Sequence, residues 1–419
     1  MNKSKIEIKK GSSFVFLGSM NAMPMMYAWE LKQRGFNVLY FVDASRDKPL
    51  SRPENHFPGV SYPYPDWIVE LKLPTQMVLP YFRALYARLI MRRVLAISGQ
   101  NICFFLNGFF ISLAPWLARS GSVISLSHGS DLDVWANKSN ANALGESFGK
   151  RSIFKFFPSQ LSKRLIRKAV NAQYCGFSSS HAVVYFPKGF NEAGDQVINS
   201  LRERGVSIFE RYDISFEPLR GISRNFKEFS CRLVLFSGVR FMYRTFPNGN
   251  LGYSKGNDLI IQGIAKYFRR NPRIEVHFVE KGEDVQHAKE LCESLGMSSA
   301  VTWHSEMPFN KLTSLYLLSD ICFDQVGPHW VGAIGAYALY LGKPLIANVS
   351  RAVDLGVFPQ ANPVMCVRTA DEVFEALVKL EDNFFRERLS RTSKAFVEKE
   401  MGCQKLLDEL LDFSDIKSA

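Results

Sequence analysis

The stretch SSFVFLGSMNAMPMMYAWELKQRG, residues 12–35, runs from an apolar strand through the turn Gly18-Ser19 into a helix, and FNVLYFVD opens the next strand directly behind it. NICFFLNG and SVISLSHGSDLD read as later strands of the same sheet, with helical segments at 76–97 and 160–171. A second series comes after them: the strand in CRLVLFSGVR, the helix in KGNDLIIQGIAKYFRR, the strand in IEVHFVEKG, the helix in EDVQHAKELCESLG, then VTWHS, FNKLTSLYLLSD and ICFDQVG. Strand and helix alternating in two separate runs predict an α/β chain with two doubly wound, Rossmann-like parallel sheets. The length agrees, because 419 residues exceed what one ordinary core organises. The expected division is 1–222 for the first domain, 223–385 for the second, and 386–419 as a helical tail able to pack back on the first.

The seven cysteines, 103, 175, 231, 292, 322, 366 and 403, are scattered and form no CxxC pair, which argues against a disulfide framework and a structural zinc. The basic start MNKSKIEIKK leads straight into an alternating strand, not into the long apolar core of a signal peptide, and no window reaches about 18 consecutive apolar residues. A cytoplasmic protein is expected. Residues 1–222 carry 28 Lys+Arg against 16 Asp+Glu, whereas 223–419 carry 24 of each, so the whole net charge of +12 belongs to the N-terminal half. That half is expected to meet an anionic partner.

Four loops that succeed strands concentrate polar and glycine residues. Gly18-Ser19 forms the first, short of a full GxGxxG pattern, so a plain tight turn competes with a phosphate-facing one. The second, SHGSDLD, offers His128 and Asp131 as acid-base candidates, with a helix cap by Ser130 or Asp131 as the structural reading. In the third, FSGVRFMYRTFPNGNLGYSKGNDLI, Gly238 admits a ligand to the strand end. Arg240 and Arg244 offer donors to phosphate oxygens, and Lys255-Gly256 opens a helix. The fourth is DQVGPHWVGAIGAYALYLGKPLIA, in which Asp324, Gln325, His329 and Gly332 precede another helix start.

The third and fourth loops resemble those of GT-B glycosyltransferases, nearest the large retaining family four. Its GR…KGxxxLI is echoed by Gly238, Arg240 and Lys255-Gly256-Asn257-Asp258-Leu259-Ile260, and its lEAMAxGKPVIA by AYALYLGKPLIA. The resemblance implies two Rossmann-like domains facing a cleft, with Arg240 and Lys255 on the nucleotide diphosphate and His128 and Asp131 on the donor sugar or the attacking hydroxyl. It also implies that Gly18-Ser19 lies near phosphates or acceptor. The family's two glutamates fall on His329 and Tyr337 when Gly342-Lys343-Pro344 is aligned, so donor-sugar and ribose contacts pass to His329, Tyr337, Asp324 or Gln325. The function that the resemblance implies is that of a glycosyltransferase of surface-polysaccharide assembly, with a nucleotide-sugar donor, a lipid-linked or glycan acceptor, and no cofactor. An epimerase-like nucleotide-sugar enzyme on the same fold, or a silent glycan-binding subunit, are the alternatives.

Asp131-Leu132-Asp133 is formally a DxD metal signature, but Arg240 and Lys255 can neutralise a leaving diphosphate without a metal. Ser127, His128 and Asp131 are too close in one loop for a hydrolase triad, and no GxSxG elbow occurs. Residues 147–191 contain no Asp or Glu, and within them 150–168 interleaves cations with Ile153, Phe154, Phe156, Phe157, Leu161, Leu165 and Ile166. YFRALYARLIMRRVL at 81–95 is similar in character. Such segments suit an anionic membrane surface, here the inner face of the cell membrane, or the solvated face of a core helix. Without a helix-turn-helix, RNP or zinc signature, nucleic acid is not an expected partner.

Overall fold

The computed structural model describes residues 11–44, 46, 51–71, 82, 84–86, 88–89, 101–127, 129–149, 159–222, 232–246, 251–307, 309–328 and 331–411. Its Cα positions fall into two compact units, Met1–Ser215 with Cys403–Ala419, and Phe216–Gly402.

The first unit is built on β1 (Ser13–Leu17), β2 (Asn37–Val42), β3 (Ile68–Glu70), β4 (Ile102–Asn107), β5 (Gly121–Leu126), β6 (Ala182–Tyr185) and β7 (Ser207–Glu210), in the spatial order β3-β2-β1-β4-β5-β6-β7. Every pairing is parallel, with Phe16 opposite both Tyr40 and Phe105. Parallel strands are covered on both faces, which is why they read as unbroken apolar runs. Phe14, Phe16, Cys103 and Phe105 point into one core layer and Val15, Leu17, Phe104 and Leu106 into the other. The rings of Phe16 and Phe105 stack at 4.6 Å. The chain's last described helix, Gln404–Leu411, buries Leu406, Leu407, Leu410 and Leu411 in the first of these layers, beside Met25, Met26 and Leu31.

The second unit orders β8 (Leu233–Ser237), β9 (Ile274–Glu280), β10 (Val301–Ser305), β11 (Ile321–Phe323), β12 (Leu345–Ala347) and β13 (Val364–Cys366) as β10-β9-β8-β11-β12-β13, again all parallel. The helix Asn257–Arg270 packs Ile260, Ile261, Ile264 and Ala265 into this core, and Ala370–Lys379 lies against it through Val373, which meets the bare backbone of Gly263. Both sheets are doubly wound, and in each the connections diverge from two central neighbours: β1 and β4 in the first unit, β8 and β11 in the second. Crevices at the carboxyl ends of such strands are where open α/β sheets bind ligands.

Candidate functional site

At the β8/β11 switch point the loop after β8 carries Gly238 and Arg240, and the loop after β11 carries Asp324 and Gln325. Arg240 projects to solvent between buried Val239 and Phe241, while the Phe241 N–H donates to Lys281 O at 2.7 Å. Gly282, at φ +111°, keeps the loop after β9 tight against it; a Cβ there would lie 2.7 Å from Arg240 Cγ. No acidic side chain among the described residues pairs with Arg240.

Lys255 is half-buried, and its Nζ donates to Gln325 Oε1 at 2.7 Å. Burial lowers its pKa, the Asp324 carboxylate opposes that shift, and the Arg240 charge adds to it. The lysine is fixed by backbone contact between two glycines: Val326 N–H donates to Lys255 O at 3.0 Å. Gly256 is left-handed at φ +64°, and a Cβ on it would sit 2.7 Å from Gly327 N, while one on Gly327 would sit 1.9 Å from Ser254 O. Asn348 closes the assembly, donating from its backbone to Gln325 O at 3.0 Å and from Nδ2 to Gly327 O at 2.9 Å. The sequence reading missed Asn348; Gly327 stood in a quoted motif, but its contact with Gly256, 71 positions earlier in the chain, did not show.

Three internal carboxylates occupy backbone N–H groups that a bound anion would otherwise use. Asp324 accepts from Gln325 N at 2.8 Å, Gly332 N at 2.6 Å and Gly335 N at 3.1 Å. Asp284 collects Tyr243, Arg244 and Thr245 N–H at 2.7, 2.8 and 3.1 Å. Burial would raise the Asp284 pKa, but these donors outweigh it and hold the carboxyl at about 2. Asp43 takes both the N–H and the hydroxyl of Ser19, at 3.0 and 2.8 Å. Gly18 is needed for close approach, since a Cβ would lie 2.4 Å from Asn107 O, and Asn107 Oδ1 accepts from Met20 N at 3.0 Å. Both Ser19 donors and the Met20 N–H are thus committed within the fold.

Tyr337 lies in the helix Ala333–Tyr340, edge-on to Phe309 at 4.8 Å and to Phe216 at 6.4 Å, and burial pushes its phenol up to about 12. His329 and His128 lie outside the described residues.

In the first unit Asp131 is 1% exposed and accepts the Ser127 hydroxyl at 2.8 Å; its backbone carbonyl accepts from Gln173 at 3.3 Å. Asp133 is half-buried and accepts from Asn191 Nδ2 at 2.6 Å, while Asn191 Oδ1 caps the helix Glu192–Glu203 through Gly194 N–H. Buried Tyr185 at the end of β6 presses its hydroxyl against Gly194, and burial with the charges of Asp133, Asp195 and Asp131 raises its pKa. Among the described residues no group of His, Cys, Asp and Glu has the arrangement of a metal site.

The basic segment is described from residue 159 onward, so 150–158 lies outside. The helix Ser159–Ser179 buries Ile166 and Val170 beside Phe82, leaving Arg164, Arg167 and Lys168 outward with Leu161, 39% exposed. Exposed Tyr86, Arg88 and Leu89 lie on the segment that contributes Phe82. Among the described residues no helix is long and apolar enough to cross a membrane.

No protein-family model matches the chain, and no curated protein matches it. Solved structures do. Sucrose-phosphate synthase from Thermosynechococcus elongatus superposes with a TM-score of 0.55 at 12% identity, covering 98% of this chain and 100% of that one. A proposed UDP-N-acetylglucosamine 2-epimerase from Listeria monocytogenes gives 0.55 at 11% identity, covering 98% of each chain. WaaG, a glycosyltransferase involved in lipopolysaccharide biosynthesis, gives 0.51 at 13% identity, covering 97% of this chain and 100% of that one. At such identities the likeness is one of fold, and that fold is GT-B: two doubly wound, Rossmann-like α/β units in one chain.

Proposed function

We propose that this chain is a glycosyltransferase that moves a sugar from a nucleotide-activated donor, held by the second unit, to a lipid-linked or glycan acceptor served by the first, in the assembly of a bacterial-type surface polysaccharide. The observation that carries this reading is the pair of cations at the β8/β11 switch point, solvent-facing Arg240 and half-buried Lys255, neither of them ion-paired among the described residues. Two such charges suit a diphosphate, and they stabilise it most when it departs with its full negative charge. Metal ions are not needed in that scheme. The N–H groups of Ala333 and Ile334, between the two that Asp324 takes at the start of the helix Ala333–Tyr340, are further donors for phosphate oxygens.

In this mechanism Arg240 and Lys255 hold the leaving diphosphate, and the loop of Ser127, His128 and Asp131 orients the donor sugar or the acceptor hydroxyl. For an inverting reaction Asp131 takes the hydroxyl proton, with His128 the second choice; a retaining reaction requires no protein nucleophile. The acceptor side has support of its own. The outward cations of the helix Ser159–Ser179, together with Leu161, Tyr86 and Leu89, suit an anionic lipid surface, which fits a peripheral protein at the inner face of the membrane. WaaG, alike in fold along nearly the whole chain, works in lipopolysaccharide synthesis, which agrees with this assignment.

Sugar epimerisation at a nucleotide is the second reading, favoured by the equal fold match to the Listeria protein. Incubation with UDP-, GDP-, dTDP- and ADP-sugars, with and without polyisoprenyl-diphosphate-linked glycans, separates the two. Acceptor-dependent release of nucleoside diphosphate supports transfer. A changed sugar on an intact nucleotide without acceptor supports epimerisation, and neither outcome with any donor leaves a silent glycan-binding subunit.

A further inference from the structure

The dipeptide Asp324-Gln325 touches both Lys255 and the start of the helix Ala333–Tyr340. Asp324 is 3% exposed, and its two oxygens are spent on the N–H groups of Gln325, Gly332 and Gly335. Gly335 is shaped to this contact, since a Cβ there would fall 2.5 Å from Asp324 Oδ2 and 2.9 Å from Asp324 Cβ. A side chain so enclosed, with three backbone donors already on it, is turned inward and away from a sugar or ribose hydroxyl, the role that family resemblance suggested for it. Its neighbour Gln325 presents Oε1 to Lys255 Nζ at 2.7 Å and its own carbonyl to Asn348 N at 3.0 Å.

We propose that Asp324 is a positioning residue: it fastens the first turn of the helix Ala333–Tyr340, sets Gln325 to aim Lys255, and places a carboxylate in the neighbourhood of that half-buried ammonium. The inference rests on the reading of Arg240 and Lys255 as a diphosphate site.

The groups that bear on Lys255 are few. Burial disfavours its charge, Asp324 favours it and Arg240 disfavours it. Burial likewise works against the Asp324 charge, and the three N–H donors and Lys255 work for it. Among the described residues Tyr316, on the helix Phe309–Leu318, is a further titratable neighbour of Asp324, with Tyr337 beyond it, and the Tyr316 hydroxyl is committed to Ile334 O at 2.9 Å. Asparagine at 324 retains an acceptor for the helix N–H groups but removes the charge. Lys255 then loses its proton at lower pH, and phosphate binding fails earlier as pH rises. A residue that merely stabilised the fold would weaken binding by the same factor at every pH.

The test is isothermal titration of the full chain with UDP, GDP, ADP and dTDP from pH 7 to 10.5, on wild type, Asp324→Asn, Lys255→Arg and the double variant. The expected result is that Asp324→Asn binds the preferred diphosphate near neutrality within about tenfold of wild type, with the alkaline loss of binding displaced downward by roughly one pH unit, the size of effect an adjacent opposite charge exerts. Arginine does not deprotonate in this range, so Lys255→Arg should lack that alkaline loss and Asp324→Asn should move nothing in its background. Coincident alkaline limbs in wild type and Asp324→Asn, with wild type binding normally, would overturn the positioning role and leave the diphosphate site standing. Wild type binding no nucleoside diphosphate at all would remove the site reading and this inference with it.

Discussion

Replacing Gly256 by alanine tests whether contact between two backbones, not side-chain chemistry, fixes Lys255. At φ +64° alanine carries the left-handed penalty of about 1–2 kcal/mol. Its Cβ would also meet Gly327 N at 2.7 Å and Val326 C at 2.8 Å, main-chain atoms that cannot rotate aside. Forcing them apart costs about 1–3 kcal/mol as overpacking, and losing the Val326 to Lys255 hydrogen bond about 1 kcal/mol more. The sum is about 3–6 kcal/mol, or roughly 6–24 °C in the melting of a unit of this size. Gly356 is the control: it is left-handed at φ +69° with nothing within 4 Å of the added Cβ, so its alanine variant should show the conformational penalty alone. Calorimetry on both variants, with a nucleoside-diphosphate titration on each, should find Gly256→Ala melting well below Gly356→Ala and binding lost only in the former. Equal melting temperatures and intact binding in both would refute the argument.

Two further outcomes are expected from other contacts. Asp284, held at about 2 against an unfolded value near 3.8, contributes stability that is fully present above the unfolded value and is lost as pH falls toward 2. Asp284→Asn should therefore be less stable than wild type by about 2 kcal/mol in denaturant melts at pH 6, with the gap closing as pH approaches 2. Reversing Arg164, Arg167 and Lys168 to glutamate should lower binding to vesicles containing phosphatidylglycerol at least about 100-fold, at roughly 1 kcal/mol per cation, without changing the weak binding to zwitterionic vesicles. Equal sedimentation of wild type and triple variant would exclude this face as the membrane contact.

The fold class was legible because a strand buried on both faces and an amphipathic helix carry different periods, and because Gly18, Gly238 and Gly256 mark the turns between them. Strand order was not, since nothing in β1 or β4 says that they are neighbours; that depends on Phe16 stacking on Phe105 across 89 residues of chain. Spacing drew attention to Gly238, Arg240, Lys255, Asp324 and Gln325, and these do gather at one switch point. What spacing could not convey is where each donor is spent. Ser19 looked available until Asp43, at the end of the next strand, claimed its hydroxyl and N–H, and Gly332 until Asp324 claimed its N–H. Such choices are made by tertiary distance, and a short acidic side chain at a strand end gives no sequence-level sign of which loop it will cap. A helical tail able to pack back on the first unit was legible, but which apolar layer Gln404–Leu411 joins was not, because the leucines of that helix would suit any of them.

A diphosphate site formed by Arg240 and Lys255 should show in thermal shift of the full chain with UDP, GDP, CMP, dTDP and ADP, on wild type and Arg240→Ala. A ligand at about 100 times its dissociation constant adds roughly 2.7 kcal/mol, which moves the melting of the second unit by about 5–10 °C. One of these nucleotides should raise the melting temperature of wild type and leave that of Arg240→Ala unmoved. No shift with any nucleotide, or an equal shift in both proteins, would contradict it.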